Sequence, residues 1–179
     1  MTPRAIVQAA VQAGLDLIAI CDHNSADNAA AVQAAAQRHA DNHITVLAGI
    51  EITAAEEVHL IGIFPNAEAA VLVGAKVRST LPTLGGSARL YGDQWIMNAD
   101  GEKIARETHM LSMASAFPLA DAVAMVRDHD GLAIAAHVDR PAFSVTSQLG
   151  FFPENLRFDA LEISAAGIRG GRQETFAHL

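Results

Sequence analysis

Residues 15–24, LDLIAICDHN, decide the reading of the fold. Leu15–Cys21 reads as a buried strand, and it runs directly into three polar residues, Asp22-His23-Asn24. Working outward, three further runs have the same character: Ile44–Ile50 (ITVLAGI), Gly131–Ala136 (GLAIAA) and Phe158–Ser164 (FDALEIS). Most of these runs lack clean period-two alternation, the pattern expected of parallel strands covered on both faces.

Helical segments lie between the runs. Thr2-Pro3 reads as an N-cap followed by proline at the first helical position, opening a helix through Ala13 that stops at Gly14. Ser25 or Asp27 is placed to cap an alanine-rich helix to about His39. Further helices are expected over Ala67–Thr80, over Leu119–His129 after Pro118, and over Arg172–Leu179. Alternation of this kind predicts an α/β protein with a mainly parallel sheet or barrel. The stretch Leu81–Phe117 differs: it holds Gly85-Gly86, and Trp95–Ala105 carries Asp100-Gly101 between two short runs, a hairpin signal. It reads as an insertion over one end of the sheet, inside a single domain spanning residues 1–179. The chain opens and closes on helical segments with no strand outside them, and a (β/α) barrel typically takes at least ~200 residues. The expectation is therefore a barrel incomplete at both ends.

Composition narrows the function. With 12 Lys+Arg against 20 Asp+Glu the net charge is −8, so no extended nucleic-acid surface is expected. Cys21 is the single cysteine and lies in an apolar run, which excludes a disulfide framework and points to a reducing, cytoplasmic setting. No apolar stretch reaches the roughly 18 residues of a membrane span. Of the eight histidines, His39, His43, His109, His129 and His178 sit in polar or loop-like contexts and read as surface residues.

The other three carry the chemistry. His23, Glu51 and His137 each follow a buried run, and the C-terminal ends of strands face the active site in α/β sheets and barrels. Val58–Phe64 reads as one more strand. If the chain reverses around Ala54–Glu56, His59 stands directly opposite Glu51 on one face, about 4.5–5.5 Å away at Cβ. Imidazoles mixed with a carboxylate suit Zn²⁺, Mn²⁺ or Fe²⁺ rather than a pure Mg²⁺ or Ca²⁺ site. Asp22 either orients a ligand imidazole or caps the following helix. Arg140 either binds a phosphate bidentately or makes a loop salt bridge. Glu162 either faces the site or is structural, and Asn24 reads as a turn or cap residue. Walker-type and dinucleotide-binding glycine loops are absent from the sequence, and a lone cysteine inside a strand gives no Cys/His nucleophile.

The blocks IAICDHNS (18–25), LAGIEIT (47–53), EVHLIGI (57–63), LAIAAHVDRP (132–141) and DALEIS (159–164), in that order, resemble the PHP (polymerase and histidinol phosphatase) family, and most closely its small bacterial phosphoesterase-like members. The resemblance implies a distorted (β/α)7 TIM-like barrel with up to three metal ions. Glu51 would bridge two of them, His59 and His137 would complete the second, and His23 would bind the third. The family's His-x-His on the first strand and Asp-x-His on the last have no counterpart here. The expectation is one firmly bound ion at most, held by Glu51, His59 and His137, and little turnover by this chain alone. The function so implied is hydrolysis of phosphate esters through a metal-activated water, with Asp22 and Arg140 in catalytic roles and a small phosphorylated substrate, nucleotide or short oligonucleotide. A metal-free binding module and a metal-dependent amidohydrolase are the alternatives. Uncovered strand edges would also allow a homodimer.

Overall fold

In the computed structural model of the chain, residues 1–39, 44–85 and 92–177 are described. Helix α1 (Pro3–Gln12) leads into strand β1 (Leu17–Ile20), followed by α2 (Ala29–His39), β2 (Thr45–Thr53) and β3 (His59–Phe64). Helix α3 (Ala67–Arg78) precedes β4 (Gln94–Met97) and β5 (Lys103–Glu107). The remainder holds α4 (Leu119–Arg127), β6 (Leu132–Ala135), α5 (Val145–Leu149), β7 (Ala160–Leu161), α6 (Ala165–Arg169) and α7 (Gln173–Phe176). His43, Gly86, His178 and Leu179, which figured in the sequence expectations, lie outside the described residues.

Local signals explain the helix ends. Thr2 Oγ1 accepts the Ala5 N–H at 3.3 Å and Pro3 occupies the first turn of α1. Asn66 caps α3 by accepting from Ala69 N–H at 2.8 Å. The expected caps of α2 are employed elsewhere: the side chains of Ser25 and Asp27 both bind the Arg78 guanidinium.

Five strands form one curled, open sheet in the order β1-β2-β3-β6-β7, a mixed α/β partial barrel. β1 pairs parallel with β2, and β6 with β7. β3 runs antiparallel to both its neighbours. The sheet is thus less parallel than expected, because residues 54–58 join β2 to β3 directly and a parallel return needs a crossover of a dozen or more residues.

The two faces of the sheet differ. Val46, Ala48, Ile50, Ile52, Leu60, Ala133 and Ala135 are buried on the face covered by α2, α3 and α4. Each large side chain there contributes about 1.5–3 kcal/mol of burial. The opposite, concave face is open: Leu17 is 56% and Leu132 54% exposed. Among the described residues, coverage of the strands on both faces is therefore not found. The runs are apolar throughout because both faces carry apolar side chains, although the described helices pack on only one of them. Within the concave face the chain closes tightly at Gly49, where an added Cβ would lie 2.6 Å from Cys21 Sγ and 2.8 Å from the Gly62 carbonyl oxygen.

β4 and β5 pair antiparallel around Asp100-Gly101. The hairpin is fastened to the sheet domain by Glu107. One oxygen accepts from Thr108 N–H, His109 N–H and the His109 ring, each at 2.7 Å, while the other meets Arg78 Nε at 3.2 Å. His109 is thus half-buried and bonded rather than a free surface residue. His129 is likewise half-buried, its Nδ1 2.8 Å from the Met125 carbonyl oxygen. Burial pushes the Glu107 carboxyl up, but the His109 and Thr108 donors and the Arg78 charge outweigh it and hold the group below its ordinary value of 4.5. A depressed folded value means that this stabilisation is fully present above pH 4.5 and is lost as the pH falls through the folded value. Glu107→Gln is therefore expected to lower stability by about 1.5–3 kcal/mol at neutral pH. The gap to the wild type should narrow on acidification below pH 4.5, measured by urea unfolding across the acid range.

Candidate metal centre

The loop after β1 continues the sheet for three residues. Glu51 N–H donates to the Asp22 carbonyl at 3.0 Å, and Asn24 N–H donates to the Glu51 carbonyl at 2.8 Å. This extension sets His23 beside Glu51 as a parallel partner. Glu51 itself is inside β2, two residues before its end, and not at the strand terminus that the sequence indicated.

His59 opens β3. Because β3 is antiparallel, its first residue lies at the same rim as the C-terminal ends of β1, β2 and β6. The register differs from the expected one: Glu51 faces Ile61, and His59 faces Thr53. The turn is centred one residue later than anticipated, so the two side chains are diagonal. An offset of two keeps them on one face, and His59 Nδ1 lies 3.2 Å from Glu51 Oε1. His23 Nδ1 lies 3.3 Å from the other oxygen, Oε2. His23, Glu51 and His59 form the group whose donor atoms all fall within 4.8 Å of one another. His137, after β6, has its Nδ1 4.0 Å from Glu51 Oε1 and 3.3 Å from Glu162 Oε2. The tight trio is thus His23-Glu51-His59 rather than Glu51-His59-His137, because the His137 ring is drawn toward Glu162.

The rings pack edge-on, His23 to His59 at 5.3 Å and His59 to His137 at 5.2 Å between centroids. His137 is 5% exposed at its side chain and His23 52%, so the cluster grades from the protein interior to solvent. Burial raises the Glu51 carboxyl, yet the His59 hydrogen bond and the charges of His59, His23 and His137 prevail and keep it low. Its carboxylate is thereby kept anionic beside three nitrogen donors, a donor set suited to a divalent transition metal.

Asp22 points elsewhere. Its carboxyl lies near Asn28 and makes no ion pair with an imidazole among the described residues. It lines a cleft of about 310 Å³ with His23, Asn28, Gln94 and Trp95. Burial drives its pKa up, against the Asn28 bond and the His23 charge. The Cys21 thiol is pushed up to about 12, first by burial and then by the charges of Glu51, Asp22 and Glu162, which leaves it protonated and inert. Arg140 is exposed, and its guanidinium makes no ion pair among the described residues. It borders a cleft with Ser164 and Arg172. The larger cleft, about 790 Å³, lies by the start of β7 and shares no residue with the cluster.

Two residues not weighed for this part in the sequence support the cluster. Asn24, with no exposed surface, donates to the Leu111 and Met113 carbonyls at 2.8 and 2.9 Å and accepts Thr53 N–H at 2.9 Å. Its φ of +49° favours asparagine among residues with a side chain. Phe143, at φ +60°, stacks on His59 with centroids 4.6 Å apart and accepts His59 N–H at its carbonyl, 2.8 Å away. The pairing has no local signal in the sequence, because it depends on a loop returning across the sheet.

No family model matches the sequence, and no curated protein matches it. Solved structures do share the fold. A candidate metal-dependent phosphoesterase from Bifidobacterium adolescentis superposes with a TM-score of 0.60 at 19% identity, covering 99% of this chain and 78% of its own. An amidohydrolase from Chromobacterium violaceum, solved with bound sulfate and no metal, gives 0.51 at 18% identity over 78% of this chain and 63% of its own. Endonuclease Q, in complex with a 27-mer duplex carrying an abasic lesion, gives 0.50 at 17% identity over 88% of this chain and 36% of its own. At these identities the likeness is one of fold.

Asn24→Ala is expected to lower stability by about 1–3 kcal/mol, since it leaves the buried Thr53 N–H unpaired and frees the Leu111 and Met113 carbonyls. Denaturant unfolding of the metal-free protein measures the loss.

Proposed function

We propose that this chain is a metal-dependent hydrolase acting on phosphate esters. One observation carries the reading: the two oxygens of the half-buried Glu51 carboxylate are each met by an imidazole nitrogen from a different strand or strand end, at 3.3 and 3.2 Å. Three donors of this chemistry from three places in the chain fit one transition-metal ion, with His137 adjacent as a fourth. Such an ion, when bound, supplies positive charge that acidifies water and offsets charge on phosphoryl oxygens.

The remaining roles fall to the chain's own groups. Arg140, exposed three residues after His137, would grip phosphate oxygens with its planar fork of donors. Asp22 lines the cleft next to His23, and in this reading it serves the proton transfer at the leaving oxygen. A net charge of −8 weighs against an extended nucleic-acid surface, so the substrate proposed is a small phosphorylated one such as a nucleotide. The duplex bound by endonuclease Q argues for testing nucleic acid as well.

Chelator-treated protein titrated with Mn²⁺, Co²⁺ and Zn²⁺ tests the reading. Uptake of one ion per chain is expected. His59→Ala or Glu51→Ala should weaken it by at least the ~10–100-fold typical of losing a mere outer-shell partner. Release of nitrophenol from nitrophenyl phosphate mono- and diesters should follow occupancy. Failure to take up any of the three ions would leave a metal-free binding module. Cleavage of an amide with neither ester touched would transfer the chain to the chemistry of its amidohydrolase neighbour.

A further inference from the structure

Glu162 follows β7 and touches the cluster without belonging to the tight donor trio. Its backbone is held on both sides: Glu162 N–H donates to the Ala135 carbonyl, and the Glu162 carbonyl accepts from Val138 N–H, each at 2.9 Å. The side chain therefore leaves from a fixed point beside the end of β6. There a single atom, Oε2, accepts the backbone N–H of His137 at 2.9 Å and lies 3.3 Å from Nδ1 of the same residue.

His137 needs such a partner. Its φ is +31°, in the left-handed region that a residue with a Cβ adopts only when its surroundings hold it there. The residue is 4% exposed, and its N–H lies past the last ladder bond of β6, so its amide has to be met from within the protein. An ionised carboxylate can only accept hydrogen bonds. A ring nitrogen facing one carries the proton, and the lone pair is left on the other nitrogen.

We propose that Glu162 is a positioning residue for His137: one carboxylate oxygen clamps backbone and ring together and fixes the Nδ1–H tautomer, so that the lone pair the ring can offer a metal is the one on Nε2. The proposal rests on the reading of His137 as a ligand in the proposed function. Partnership of this kind, a carboxylate behind a ligating imidazole, orients the ring and raises its basicity. Glu162 meets the cluster only through His137, with Oε2 against that residue's backbone N–H and Nδ1, which sets it behind the imidazole.

Two measurements on the full chain test it. Long-range ¹H–¹⁵N NMR of the metal-free wild type, above the imidazole titration range, reads the tautomer without any variant. His137 is expected as the Nδ1–H form, retained in Glu162→Gln, which keeps an acceptor oxygen, and mixed in Glu162→Ala. Co²⁺ titration is expected to show ~10–100-fold weaker binding in Glu162→Ala and a smaller loss in Glu162→Gln. An Nε2–H ring in the wild type overturns the proposal. So does Glu162→Ala binding Co²⁺ as the wild type does while only its melting temperature falls, which would make the contact purely structural. Equal and complete loss of Co²⁺ in Glu162→Gln and His137→Ala would instead make Glu162 a ligand. If the wild type takes up no Co²⁺ while the Nδ1–H tautomer is present and collapses in Glu162→Ala, the metal reading fails and the positioning of the ring stands.

Discussion

The pairing of β2 with β3, Thr53 opposite His59 and Glu51 opposite Ile61, is the constraint on which the candidate site depends. A slip of one residue would turn His59 onto the helix-covered face and carry Leu60 out of the core. Several bonds hold the register. Ala54 N–H donates to Val58 C=O at 2.8 Å across the turn, and Glu57 takes φ +60° within it. Thr53 N–H is held by Asn24, and Thr53 C=O accepts both the backbone and the hydroxyl of Ser115 at 2.9 Å. The same contacts that fix the sheet therefore fix the separation of Glu51 from His59.

Electrostatics within the concave rim then follow from small differences in surroundings. Glu51 and Asp22 lie close along the sheet and are both partly desolvated, yet their carboxyls move in opposite directions. Glu51 faces three imidazoles, and those partners overcome its burial. Asp22 faces the amide of Asn28 with one imidazole charge nearby, and burial prevails. Cys21, between Glu51 and the apolar sheet, is pushed up by both. One rim thus holds a carboxylate suited to a cation, a second carboxyl shifted the opposite way by burial, and a thiol that stays out of the chemistry.

Fold likeness and site chemistry carry different weight here. The structures that share this partial barrel carry different names, a candidate phosphoesterase, an amidohydrolase and an endonuclease, so the fold alone does not select an activity. What a given chain does is decided by groups placed on the scaffold. In this chain those groups are the imidazoles around Glu51, with the exposed Arg140 bordering a separate cleft beside Ser164 and Arg172. The neighbouring cleft with Asp22, Gln94 and Trp95 joins residues of the β4–β5 hairpin to the rim, and the Arg78–Glu107 ion pair holds that hairpin in place.

The strands, most of the helices and three rim residues were legible in the sequence. Apolar runs ending in Asp-His, Gly-Ile-Glu and Ala-His announce buried strands with polar ends, and a Thr-Pro pair announces a helix start. These are local signals, set by side-chain size, polarity and backbone preference. Tertiary structure decided the rest. It decided that helices cover only one sheet face, which the runs could not tell because both faces are apolar. It decided the register that makes Glu51 and His59 diagonal, because the turn geometry depends on Asn24 and Ser115 from elsewhere in the chain. It decided that Asp22 leaves the cluster, and that Glu162 and Phe143 hold His137 and His59. Those contacts join residues far apart in sequence, and no local preference encodes a distance that only the closed sheet sets.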